Sequence, residues 1–108
     1  MSLEKLSTMQ QLDELLGQNK TLIFLKNSTT CPVSHEAFRE FEKLSKEMET
    51  ETFYYLNVQE ARPFSNEIAE KFAVKHESPQ ALLFNDGEVA WHTSHWNITY
   101  KVLKELFK

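Results

Sequence analysis

Two hydrophobic periods alternate along this chain in a fixed order, and that order restricts the folds open to it. The short β-prone runs "TLIFLKN" (21–27) and "TFYYLNV" (52–58) are each followed by a stretch whose apolar residues recur at steps of three and four. After the first run, Val33, Ala37, Phe38, Phe41, Leu44 and Met48 make one helical stripe from Cys31 to about Glu49. After the second, Pro63 opens a helix carrying Phe64, Ile68 and Phe72. An earlier helix holds Leu6, Met9, Leu12, Leu15 and Leu16, with Ser7-x-x-Gln10 as its capping pattern and Gly17 as its stop. "QALLFN" and "EVAWHT" flank Asp86-Gly87, a two-residue hairpin signal. Asn97 then caps a last helix that turns Val102, Leu103, Leu106 and Phe107 inward.

The predicted order is therefore α, β, α, β, α, β, β, α. Two β-helix-β crossovers followed by a hairpin predict an α/β protein: a three-layer α/β/α sandwich around a central four-stranded mixed sheet. This layout resembles that of thioredoxin. With 108 residues and no linker or repeat, residues 1–108 read as a single domain. The net charge of −4, with no cluster of Lys or Arg, argues against nucleic acid and anionic membrane as partners. No run is apolar enough for a signal peptide or a membrane span, so a cytoplasmic protein is expected.

The layout places Cys31, the only cysteine, where the first strand ends and the second helix begins. Pro32 suits the first helical turn because no N–H is needed there, and the free N–H groups of the turn favour a negative sulfur. At pH 7 a thiol of pKa ~8.5 is about 3% ionised, whereas one of pKa ~6.5 is roughly three quarters ionised. The lower basicity costs about 6- to 10-fold in nucleophilicity, which leaves attack about 3-fold faster and the sulfur a better leaving group. A lone cysteine has no partner within the chain, so any disulfide it forms is with another molecule. Ser34 stands one turn on, where C-x-x-C enzymes carry their second cysteine; a hydroxyl that donates to the sulfur and a plain exposed helix serine are equally open readings of it. Pro79, before the strand "QALLF", is expected to be cis in a fold of this kind.

"TCPVS" with its lone cysteine, together with "HESPQ" before the third strand of the predicted order, resembles the monothiol bacilliredoxins, a thioredoxin-fold family with the motif T-C-P-[IV]-S. The resemblance implies a thiol–disulfide oxidoreductase that removes bacillithiol from S-bacillithiolated client proteins through a mixed disulfide on Cys31. Free bacillithiol is then the co-substrate and no cofactor is bound. It implies supporting roles for the motif residues Thr30, Pro32 and Ser34, and a substrate-aligning role for Ser78 and Pro79. Bacillithiol carries a glucosamine and a malate, so an anion-accepting groove is expected, and Lys26 is the nearest cation in sequence. His35 points away from the helix mouth in a regular turn. No metal site is expected, since His92 and His95 match no common ligand spacing. Trp91 and Trp96 read as core and rim, and the protein as a monomer or weak dimer. The alternative functions are a monothiol-glutaredoxin-like iron–sulfur carrier, from whose Gly-Phe after the cysteine Pro32-Val33 departs, and a redox-inert thioredoxin-fold adaptor.

Overall fold

In the computed structural model, which describes residues 3–48 and 50–107, a five-stranded sheet runs in the order β1-β3-β2-β4-β5. The strands are β1 (Leu3–Lys5), β2 (Thr21–Asn27), β3 (Phe53–Asn57), β4 (Gln80–Asn85) and β5 (Glu88–Ser94). The helices are α1 (Met9–Gln18), α2 (Pro32–Glu47), α3 (Arg62–Phe72) and α4 (Tyr100–Glu105), with a 3-10 turn at His95–Asn97. The α/β class and the thioredoxin fold are as expected, with one strand more than the predicted four.

The alternation in β2 builds the two cores. Leu22 and Phe24 point to one face and join Leu12, Phe64 and Ile68 beneath α1 and α3. Ile23 and Leu25 point to the other, against Ala37, Phe41 and Leu44 of α2 and Leu103 of α4. The strand is thus covered on both sides, which is why it reads as an unbroken apolar run.

Several boundaries differ from the sequence reading. Thr8 and Gln11, not Ser7 and Gln10, form the capping box of α1: Gln11 N donates to Thr8 Oγ1 (3.2 Å) and Thr8 N to Gln11 Oε1 (3.1 Å). The helix continues past Gly17 to Gln18 and ends at Asn19, whose N donates to Leu15 O. In α2 the last helical residue is Glu47; Glu49, the expected end, lies outside the described residues. The last helix is capped by Thr99, which accepts from Val102 N, because Asn97 is taken up in the 3-10 turn. Val102 faces solvent, while Leu103 is fully buried.

The crossovers also differ. β2 and β3 are parallel, joined through α2 as expected, but β4 runs antiparallel to β2, so α3 does not link parallel strands. The other parallel crossover is β1–α1–β2, since β1 lies parallel to β3. The hairpin forms as predicted, with Asp86 (φ 53°) and Gly87 (φ 81°) both left-handed and a bulge between Leu83 and Phe84.

These directions bring four connections to one end of the sheet. The C-terminal ends of parallel β2 and β3 lie there, and Asn27 sits opposite Asn57. Lys26 pairs with Gln80 at the start of antiparallel β4, and Gln80 with Ser94 at the end of β5. The segments 28–31, 58–61, 78–79 and 95–97 therefore cluster at that end.

Candidate functional site

Cys31 is the N-cap of α2, half-buried, with extended backbone (φ −103°, ψ 125°) and Pro32 in the first helical turn. Its carbonyl accepts the first helical bond, from His35 N at 3.1 Å. The Ser34 backbone N–H lowers the thiol pKa from its ordinary value, opposed in part by desolvation and aided to a lesser degree by the Val33 N–H, although the sulfur forms no capping hydrogen bond. The Ser34 hydroxyl acts in the same direction but is the smallest influence. It stops short of a formed hydrogen bond, since Ser34 is fully buried and its Oγ has no partner among the described residues. Ser34 is therefore an interior side chain rather than a surface serine.

Thr30 directs its hydroxyl to a residue that sequence reasoning passed over: Gln59 Nε2 donates to Thr30 Oγ1 at 3.2 Å and to Ser28 Oγ at 2.7 Å. Gln59 Oε1 accepts from Thr29 N at 3.0 Å. The signal for Gln59 lay in the parallel register, because loops leaving adjacent parallel strands emerge side by side. His35 also reaches back rather than away. Its Nε2 lies 3.0 Å from Thr29 O, which can only accept, so Nε2 carries the proton.

The Ser78-Pro79 peptide is cis, at the same sheet end. Pro79 is buried and its carbonyl accepts from His95 N at 3.0 Å, which ties the 3-10 turn to this loop. Ser78 Oγ is buried with no partner among the described residues. Trp96, on the tied turn, is 69% exposed, whereas Trp91 packs on the α2 side of the sheet.

Lys26 departs most from expectation. The side chain is fully buried, on the face of β2 that carries Leu22 and Phe24, and is not open to an anion from solvent. Its Nζ donates to Ser65 O at 3.0 Å and meets His76 Nδ1 at 3.2 Å. Desolvation lowers its pKa to about 8. Desolvation, and then the charges of Lys26 and Arg62, hold the His76 pKa below its ordinary value, so Nδ1 is free to accept. Ser65 Oγ lies 3.2 Å from the same nitrogen.

A half-buried thiol at a helix N-terminus, across the sheet end from a cis-proline loop, defines the thioredoxin-fold thiol proteins as a class. The comparisons agree with that class. A solved structure described as a candidate oxidoreductase with a thioredoxin fold is 40% identical and superposes with a TM-score of 0.91, over 98% of this chain and 94% of that one. A cysteine-to-serine variant of the Entamoeba histolytica thioredoxin (23% identity, TM-score 0.77, 98% and 97% covered) and the Fasciola hepatica thioredoxin (22%, 0.75, 98% and 95%) share the fold. The chain belongs to the monothiol bacilliredoxin BrxC family, whose model matches residues 4–103. A thiol redox role comes with that membership. No helix among the described residues is long and apolar enough to cross a membrane.

Proposed function

We propose that this protein removes bacillithiol from S-bacillithiolated proteins by thiol–disulfide exchange at Cys31. The observation that carries the reading is Cys31 as the half-buried N-cap of α2, with Pro32 in the first turn, where the free amides of the helix end favour the thiolate. In the first step the Cys31 thiolate attacks the bacillithiol sulfur of the mixed disulfide. The client's sulfur leaves as a thiolate and takes a proton, and Cys31 is left bonded to bacillithiol. A second bacillithiol, as thiolate, attacks the bacillithiol sulfur of that adduct. This step releases bacillithiol disulfide and restores the Cys31 thiolate. Ser34 cannot perform the second step from within, so an external thiol is required.

In this reading Thr30 and Pro32 hold the approach to α2, and Ser78 and Pro79 present a backbone edge along which an extended client segment aligns. Lys26 is given no contact with the ligand. The setting is the cytoplasm, where free bacillithiol serves as co-substrate and no bound cofactor takes part.

The test is transfer from a protein carrying one bacillithiol mixed disulfide, followed by mass spectrometry. The expected result is one-to-one movement of the adduct onto Cys31, abolished in Cys31→Ser while the fold is retained, because a serine alkoxide is inaccessible near neutral pH. Transfer that survives in Cys31→Ser overturns the reading. Equal transfer from a glutathionylated substrate leaves the exchange chemistry in place and removes bacillithiol as the preferred thiol.

A further inference from the structure

We propose that Gln59 is the positioning residue for the Cys31 thiol, an inference that rests on the exchange role proposed above. The extended N-cap backbone of Cys31 sets the sulfur at the open end of α2, and the residues that feed that backbone, Ser28 to Thr30, lie beyond the end of β2. Side chains hold this segment. One Gln59 amide engages three consecutive residues, accepting from Thr29 N (3.0 Å) and donating to Ser28 Oγ (2.7 Å) and Thr30 Oγ1 (3.2 Å). Both donors and the acceptor are thereby used.

The second grip, His35 on Thr29 O, comes from α2 itself and moves with the helix. Gln59 instead belongs to the turn after β3, which is fixed to the sheet. Val58 N donates to Asn27 O at 2.8 Å, Glu60 N and Ala61 N both donate to Asn57 O at 3.0 Å, and Asn27 Nδ2 donates to Asn57 Oδ1 at 2.9 Å. Gln59 is therefore the side chain that refers the loop before Cys31 to the rigid part of the fold. It acts through the loop, since no hydrogen bond joins it to the sulfur.

The test uses the intact chain with Gln59→Met, which keeps the length of the side chain and deletes the amide. Because Gln59 is exposed, the variant is expected to fold, with a melting temperature close to that of the parent. Thiolate absorbance against pH gives the Cys31 midpoint, and reaction with a small aromatic disulfide gives the rate. The midpoint is expected to rise by about half a unit, which reduces the thiolate at pH values below it by about 3-fold. Thr30→Val should shift it less, and the double variant should be no worse than Gln59→Met alone, since both remove the same tether. A parent with a low midpoint and a Gln59→Met variant that matches it in midpoint and rate overturn the positioning role while the exchange role stands. Additive shifts in the double variant also overturn it. A parent thiol that titrates as an ordinary cysteine overturns both readings.

Discussion

Cys31 and Lys26 stand five residues apart in sequence, one beyond the end of β2 and one within it, and both have lowered pKa values for opposite reasons. At Cys31 backbone N–H groups stabilise the charged form, so the thiol ionises more readily because the thiolate is welcome. At Lys26 the interior penalises the charged form, so the ammonium loses its proton more readily because charge is unwelcome. No carboxylate of the described residues lies within salt-bridge distance to offset that penalty. One carbonyl and one imidazole nitrogen are what hold it. A lowered pKa thus marks a prepared reactive group in one place and a stability cost in the other, and only the partner atoms tell them apart.

The largest test of the comparison gives the prepared sulfur a neighbour. Ser34 is the third helical residue after the Cys31 cap, one turn away, so Ser34→Cys places a second thiol within bridging range. The expected outcome is that a mixed disulfide on Cys31 no longer accumulates. The second sulfur attacks Cys31, the small thiol leaves, and an internal disulfide remains. Free-thiol counting and mass after oxidation measure it. A variant that keeps its adduct as stably as the parent does would show that the buried position of residue 34 points its sulfur away from Cys31.

Lys26→Met tests the other half. A fall from the ordinary 10.5 to about 8 corresponds to about 3 kcal/mol of stability forfeited at pH 7. The sign follows from proton counts: between pH 8 and 10.5 the unfolded chain binds more protons at this residue than the folded one. Stability therefore rises with pH across that window, and the cost is fully present below it. Urea unfolding at pH 7 and pH 10 should show the parent gaining about 2 kcal/mol relative to Lys26→Met. The depressed Cys31 pKa gives a slope of the same sign, so the comparison is made in a Cys31→Ser background. Parallel pH profiles of parent and variant would show that Lys26 is not the desolvated charge described here.

The layers of the fold were legible because β2 is covered on both faces and the helices each carry one apolar stripe. The helical periods placed Leu12, Ala37, Phe41, Leu44, Phe64, Ile68 and Leu103 inward, as found, but they also turned Val102 inward, which is exposed. β1 was not legible, since three residues, two of them exposed, make no pattern. The α1 cap slipped by one because Ser7/Gln10 and Thr8/Gln11 fit the same spacing. The choice is made by the bond from Leu6 N to Tyr55 O (2.8 Å), which keeps the chain extended alongside β3 up to that point. Asn97 lost the cap of α4 to Thr99 because the cis-proline loop draws His95 into the 3-10 turn. Cys31, Pro32 and Pro79 could be placed by position along the chain. Gln59 could not, because its role appears only when two parallel strands lie in register. Lys26 shares the parity of Leu22 and Phe24, so the strand pattern already pointed it inward, and nearness to Cys31 in sequence was the weaker guide.

The smallest expected effect separates the amides at the sulfur from the hydroxyl beside it. Ser34 Oγ is buried without a partner, a state that costs about 1–3 kcal/mol for a desolvated polar group, yet it contributes least to lowering the Cys31 pKa. Ser34→Ala removes that cost and keeps the Ser34 backbone N–H, the main influence on the sulfur. The variant should be as stable as the parent or more so, by up to about 1 kcal/mol in urea unfolding. Its thiolate midpoint should rise by only a few tenths of a unit, much less than the loss of an amide donor would produce. A rise of a full unit would mean that the hydroxyl, and not the backbone, holds the thiolate. The contrast with Lys26 would then narrow to one side chain rather than the mouth of a helix.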